Sequence, residues 1–468
     1  MTTGDSPLKL NTDGRAKPIT AAETLLLAAV KTGDTVTFPG APKPGEADGW
    51  TDQHTIRATF LRHLCLHPAL YAIAPKGVQL HGARITDALD FEAAALTHPL
   101  WVFDSRFEGK IIFRDAQTRS LGFVDCHLTG FRADRLTATG TLKLAGSTVM
   151  GETSLLGAVI SGNLECDGAT FTHKGNDAFS ADGLKTGGAV FFRNTTVTGA
   201  TRLLGADITG NLECDGATFS HEGDIAFIAQ RLVVGGRFFW RKLAGPPKGD
   251  INLNHAQVGD FVDDGSGWPD IGKGHLVLDG FCYETIGPDT TATTRKQWLA
   301  RMPTTQDGNP DENPAFWPQP YEQLIKVLRA AGHDADARRI AIAKRDDYRK
   351  HLRLRAMRME EETTHYIPGE GHYRERLGLL LAKYTVGYGY WPWLPLMWIG
   401  GIIVLGAFIY GGADNAEYMH VAKERVYMDG TYKQTHQLPA EYPPFNALVF
   451  SIDTMIPFVD LHQEAYWE

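Results

Sequence analysis

Between residues 140 and 240 the apolar side chains keep fixed distances from a recurring glycine. The glycines are Gly140, Gly151, Gly162, Gly188, Gly199, Gly210 and Gly236, with two short steps followed by a longer one, twice over. Four residues after each comes Leu144, Leu155, Cys166, Phe192, Leu203, Cys214 or Trp240, and nine after come Val149, Ile160, Phe171, Val197, Ile208 and Phe219. Above this runs a longer repeat, in which TSLLGAVISGNLECDGATF returns as TRLLGADITGNLECDGATF, placing Leu203 over Leu155 (203 − 155 = 48). An 11-residue unit closed by glycine is too short for a helical repeat and suits a strand plus a corner. Two units make one coil, so the pattern predicts shorter coils (Gly140 to Gly162, 162 − 140 = 22) alternating with longer ones (Gly162 to Gly188, 188 − 162 = 26). The periodic apolar positions would then stack as interior columns. A β-sandwich would not need such a register. Glycine recurs because corners require positive φ or close backbone approach. With looser spacing the texture begins near Val78, in VQLHGARITDALDF, and the expected right-handed β-helix covers residues 77–285. The inserts 172–186 and 220–234 are expected to bulge as loops on one edge, a common binding face in solenoids.

The open ends of a solenoid need covering. In the N-terminal region, 1–76, Thr20 with Glu23 forms a capping box that opens a helix to about Lys31, stopped at Gly33. Ile56, Phe60, Leu61 and Leu64 give a second helix ending before Pro68, and both are expected to cap the first coil.

After the solenoid the period changes to that of helices, over a linker at 286–383. Tyr321, Leu324, Ile325 and Leu328 share a helix face, Gly332 stops that helix, and Asp334 caps the next. The second helix of this αα-hairpin carries Arg338, Arg339, Lys344, Arg345, Arg349, Lys350, Arg353, Arg355 and Arg358. A basic run is ordinarily a solvated face. This one precedes an apolar span, and each cation near an anionic membrane surface contributes about 1 kcal/mol, so it is a candidate lipid-facing helix.

No residue from 384 to 413 is charged, and the stretch Leu394 to Tyr410 is apolar enough to span a bilayer. The transmembrane segment is placed at 384–412, with Trp391, Trp393 and Trp398 as interfacial anchors. Arg374, Arg376 and Lys383 precede it, whereas positions 414–443 hold five acids and three bases. The positive-inside rule therefore puts the solenoid in the cytoplasm. In the last region, 413–468, Phe445 to Val459 is apolar enough to lie on the bilayer or re-enter it. Asp453 sits in its middle, and a charge there should face a pore or a partner.

Composition narrows the classes. Glycine is 50 of 468 residues, about 11% against a usual 7% or so, without a collagen period. The net charge of −9 argues against nucleic acid as a partner. Five cysteines with no CxxC pair signal neither a disulfide framework nor a zinc site, and the polar start of the chain is no secretory signal. No HExxH, P-loop, nucleophile elbow or GxGxxG occurs, so no catalytic, cofactor-binding or metal residue is assigned and no cofactor is expected. Glu165 and Glu213, Asp167 and Asp215, and His173 and His221 could be imagined as acid-base or metal pairs, but duplication of one turn explains them. TVGYG at Thr385 to Gly389 is identical to a potassium-channel filter string, yet no pore helix and membrane helix precede it.

The blocks IRATFLRHL, NLECDGATF, LVLDGFCYETI, PQPYEQLIKVLRAAGHDADARRIAIAK and NALVFSIDTMIPFVDL together resemble a family of bacterial inner-membrane proteins with a pentapeptide-like β-helix. The resemblance covers nearly the whole chain and implies an inner-membrane location. Some members carry the label membrane-associated oxidoreductase, for which these residues hold no nicotinamide or flavin signature. In such relatives a second membrane helix follows the FVDL segment, so the resemblance also implies a chain cut short at Glu468. The resulting expectation is a non-enzymatic, membrane-tethered scaffold or sensor for a cytoplasmic protein or ligand, in contact with membrane lipids, with assembly into a homo-oligomer left open. A ligand-gated pore subunit is the alternative, and a membrane-associated enzyme the third reading.

Overall fold

The structure is a computed structural model. It describes residues 8–265, 267–270, 274–287, 291–305, 315–362, 370–415, 418–435, 437–440, 442–456 and 459–468. The chain divides into two units, Met1–Lys344 and Arg345–Glu468.

The first unit is mainly β, a parallel solenoid of about nine turns. On one side the register runs Leu100, Leu121, Leu142, Leu164, Val190, Leu212, Phe238 and Phe261. From Leu142 to Phe238 shorter and longer coils alternate as the glycine spacing predicts. The expected interior columns hold as well, since every periodic residue from Leu144 to Trp240 is buried.

The 11-residue unit differs from expectation. It contains two strands, not one: a coil reads Leu142–Lys143, Thr148–Val149, Thr153–Ser154 and Val159–Ile160 before the next begins at Leu164. Each side is only two paired residues long because a corner follows every five or six residues. Corners are made in two ways. Gly168 turns with φ +66°, a conformation Asn194 also adopts at the corresponding corner one coil on. Gly188 needs no positive φ, but a Cβ there would lie 3.0 Å from the backbone carbonyl of Gly162 in the coil below.

The inserts at 172–186 and 220–234 are not loops. They belong largely to the long strands Thr170–Ser180 and Thr218–Ile228, which sandwich Thr196–Arg202 in parallel pairing. Phe179 and Phe227 return to the core, each edge-on to the preceding Phe171 or Phe219 at 5.1 Å. A longer coil therefore exceeds a shorter one by a small hump, exposed only at Lys174 to Asn176 and Glu222 to Asp224. Gly199 makes room for the first hump, since a Cβ on it would lie 2.7 Å from the His173 carbonyl.

Helix α1 (Ala21–Ala29) opens as predicted, with Thr20 Oγ1 accepting from Glu23 N at 3.1 Å. The buried Glu23 carboxylate accepts from Ile19 N and pairs with Arg57 at 2.8 Å. Helix α2 (Ala58–Leu66) buries Phe60, Leu61 and Leu64, and the short α3 (Pro68–Tyr71) follows. Val36–Thr37 and Thr55–Arg57 add in parallel to the strands at Val78 and Arg84.

Helix α4 (Ala292–Leu299) lies against the last coils. Its fully buried Arg295 pairs with Asp263, and Trp298 joins an aromatic cluster with Trp240, Phe261 and Trp268. Helix α5 (Gln319–Ala330) buries Tyr321, Leu324, Ile325 and Leu328, as its periodicity required. Gln319 and Gln323 donate to the carbonyls of Phe281 and Tyr283, supplying partners to a sheet edge that would otherwise stay open. Helix α6 (Asp334–Glu362) begins after Gly332, whose φ is +79°. Asp334 is its first residue and not its cap. The carboxylate still suits the positive end of the helix dipole.

The second unit takes the rest of α6, then α7 (Glu370–Val386), a 3₁₀ turn at Gly387–Gly389, α8 (Leu394–Asn415), α9 (Glu424–Tyr427), α10 (Gly430–Thr435) and α11 (Ala447–Met455). Asn446 caps α11 by accepting from Leu448 N and Val449 N at 3.1 Å. Ser451 of α11 donates to the Ile403 carbonyl of α8 at 2.8 Å, an approach that Gly406 permits. Tyr442, Phe450 and Trp467 close a small aromatic core with Val421 and Val426.

Candidate membrane-facing site

Helix α8 is built from an uncharged run whose only acid, Asp414, lies at its end, and it buries none of its residues within the chain. Its 22 residues rise about 33 Å, so among the described residues this one helix is long and apolar enough to cross a membrane. Ahead of it, Trp391 and Trp393 stack at 5.8 Å, and Trp398 Nε1 donates to the Tyr384 carbonyl at 2.7 Å. All three indoles are about half exposed.

The TVGYG string turns the chain from α7 towards α8. Thr385 Oγ1 donates to the Leu381 carbonyl, the Gly387 carbonyl accepts from Tyr390 N, and Tyr388 turns at φ 56°. Its groups serve a helix end, not a row of ion-coordinating carbonyls.

The basic residues fall in both units. In the first, Arg338 is exposed, Arg339 pairs with Asp336 at 3.0 Å and Lys344 pairs with Glu322. In the second, Arg345 lies over the Tyr388 ring at 5.8 Å, Arg349 is 3.7 Å from Asp346, Lys350 is 2.7 Å from Asp347, and Arg353 and Arg355 are exposed. The side chain of Arg358 lies outside the described residues.

Sequence reasoning missed Asp346 as an organiser. Its carboxylate accepts from Lys383 Nζ at 2.8 Å and from Tyr388 OH at 3.0 Å, tying α6 to α7. Burial alone would raise its pKa, but the hydrogen bonds from Lys383 and Tyr388 outweigh that and hold it below the ordinary carboxylate value. Also missed was the stripe Leu377, Leu380, Leu381 and Tyr384, bare along one face of α7. Its spacing of three, four and seven was visible in the sequence, masked by the charged residues before it.

Asp453 is buried and fully engaged. Its two oxygens accept from Leu461 N at 2.6 Å and Glu464 N at 2.9 Å, clasping the turn that follows α11.

The repeated carboxylates of the solenoid form ladders. Asp167 accepts from Arg193 one coil on, and Asp215 from Arg241, with each guanidinium also over Phe191 or Phe239 at 4.5 and 4.7 Å. His173 and His221 bond within their own humps, to the carbonyls of Asp177 and Ile225. Cys166 and Cys214 share an interior column with Phe192 between them, and burial raises both thiols well above the ordinary value. Among the described residues no group of histidine, cysteine and acidic side chains is arranged to hold a metal ion. Compared with protein-family models, curated proteins and solved structures, the chain finds no match.

Proposed function

We propose that the protein is a membrane-tethered scaffold or sensor of the bacterial inner membrane. In this reading α8 spans the bilayer, the solenoid stands in the cytoplasm, and its flank and humps bind a cytoplasmic protein or ligand. The observation that carries the reading is α8 itself. Although α11 packs on one side of this 22-residue apolar helix, none of its residues is buried among the described residues, and lipid is the cover its composition suits. The cations before α8 and the acids after it favour the cytoplasmic orientation. We take the solenoid to be right-handed, as parallel crossovers overwhelmingly are, and α1 and α2 to be its cap, because Leu26, Phe60, Leu61 and Leu64 join its core. Membership of the β-helix family described above fits this arrangement.

A ligand-gated pore subunit would want a carboxylate facing water, whereas Asp453 spends both oxygens on backbone N–H groups. An enzyme would want converging reactive groups, whereas the paired carboxylates of the solenoid close ladders with arginine.

The exposed Cys282, on the solenoid, provides the test. In a bacterial host, the full chain should resist carbonate extraction from membranes. A membrane-impermeant maleimide should label Cys282 in inverted vesicles and not in intact spheroplasts. Release by carbonate would remove the anchor, and labelling in spheroplasts would reverse the orientation.

A further inference from the structure

The second unit contains a groove of about 360 Å³ lined by Arg349, Lys350 and Arg353 of α6 and by Arg376, Leu377 and Leu380 of α7. Four of these six side chains are cations and none is an acid. Lys350 is held by Asp347, and Arg349 is only loosely paired with Asp346 at 3.7 Å. Among the described residues neither Arg353 nor Arg376 has an acidic partner, and the two approach the groove from different helices. Such a cleft leaves positive charge uncompensated at one place, with planar guanidinium groups suited to a phosphodiester. Its volume is in the range that holds a small ligand.

The other lining is apolar. Leu377 and Leu380 are 43% and 41% exposed, and Leu381 and Tyr384 carry the same bare stripe toward the end of α7. A soluble anion has no use for that stripe, and the molecule's net charge of −9 opposes a polyanion. A ligand with a phosphate beside acyl chains satisfies both halves.

We propose that this groove is a binding site for the headgroup of an anionic phospholipid, with its phosphate between Arg353 and Arg376 and its chains along the α7 leucines. The proposal rests on the membrane-tethered reading, which carbonate extraction tests separately. Asp346 is the positioning residue, because its bonds to Lys383 and Tyr388 hold α6 and α7 together.

The test uses the full chain in membranes containing phosphatidylcholine and phosphatidylglycerol, with retained lipids counted by native mass spectrometry after mild detergent extraction. The wild type should retain phosphatidylglycerol preferentially. R353Q/R376Q should weaken that preference about 30-fold while leaving carbonate resistance intact, whereas R338Q/R339Q, the same charge removed outside the groove, should change it less than about twofold. L377A/L380A should lose the lipid but still bind glycerol phosphate. The proposal fails if the wild type shows no preference, if both arginine pairs act equally, or if glycerol phosphate displaces the lipid at equal concentration, which would mark a site for soluble anions.

Discussion

Removal of the Asp263 carboxylate should destabilise the C-terminal coils more than any change on the solenoid surface. Asp263 and Arg295 have side-chain exposures of 0% and 1%, and the carboxylate takes two guanidinium bonds plus Trp268 Nε1 at 3.1 Å. Asp263→Ala leaves a guanidinium charge deep in an aromatic cluster, a perturbation of about 3–5 kcal/mol. Removing both charges is different. In Asp263→Leu with Arg295→Met no ion is stranded, and the lost Trp268 N–H acceptor costs about 1 kcal/mol, which added apolar burial offsets in part. The assay is urea unfolding of the full chain in mild detergent, followed by tryptophan fluorescence. Three of the ten tryptophans cluster here, the Trp268 ring 5.7 Å from that of Trp240 and 5.8 Å from that of Trp298, so part of the signal reports this end of the solenoid. The single variant should unfold at clearly lower urea and the double variant close to wild type. An unchanged single variant, or a double variant as weak as the single, would refute the assignment of the pair as a stranded-charge risk.

Gly188→Ala should lower stability by about 1–3 kcal/mol, because its Cβ meets the Gly162 backbone at 3.0 Å, whereas Gly130→Ala, whose nearest neighbour is at 3.5 Å, should be tolerated; thermal melting of both checks this. In the native chain an alkylating reagent should modify Cys282 alone, while Cys65, Cys126, Cys166 and Cys214, buried and with thiols raised by desolvation, react only after denaturation. Asp346 has a folded pKa below its unfolded value, so its stabilisation of the α6 and α7 contact is complete above about pH 4 and is lost as pH falls through the lowered value. Hydrogen exchange in α7 should accelerate only in that acid range, and Asp346→Asn should abolish the pH dependence. Asp453→Ala should free the Leu461 and Glu464 amides and cost about 1–3 kcal/mol, seen as faster proteolysis of the segment after α11 with carbonate resistance unchanged from that of the wild type.

Much of the solenoid was legible because a repeat multiplies a weak signal. One strand of two residues says nothing, but Leu144, Cys166, Phe192 and Cys214, each four residues after a glycine and one coil apart, identify an interior column. The humps were misread for the same reason. Glycine spacing alone made each longer step look like one long insert, when Phe179 and Thr186 were continuing the sides of the coil through a corner at Gly183, out of phase with the counted glycines. The cations of α6 were legible as a basic run, but the place of Arg376 among them was not, since only the folding back of α7 onto α6 brings it beside Arg353.

What the sequence determined by itself is whatever depends on local periodicity: the coil length, the buried columns, the capping box at Thr20 and the uncharged span of α8. What the tertiary structure alone decided is which charges meet. Asp263 and Arg295 are 32 residues apart, Asp346 and Lys383 are 37 apart, and Asp453 turns its charge to the amides of Leu461 and Glu464. Periodicity reports which face of an element is apolar, because desolvation acts on each residue separately. Pairing depends on where two distant backbones place their side chains, and no spacing along the chain encodes that distance.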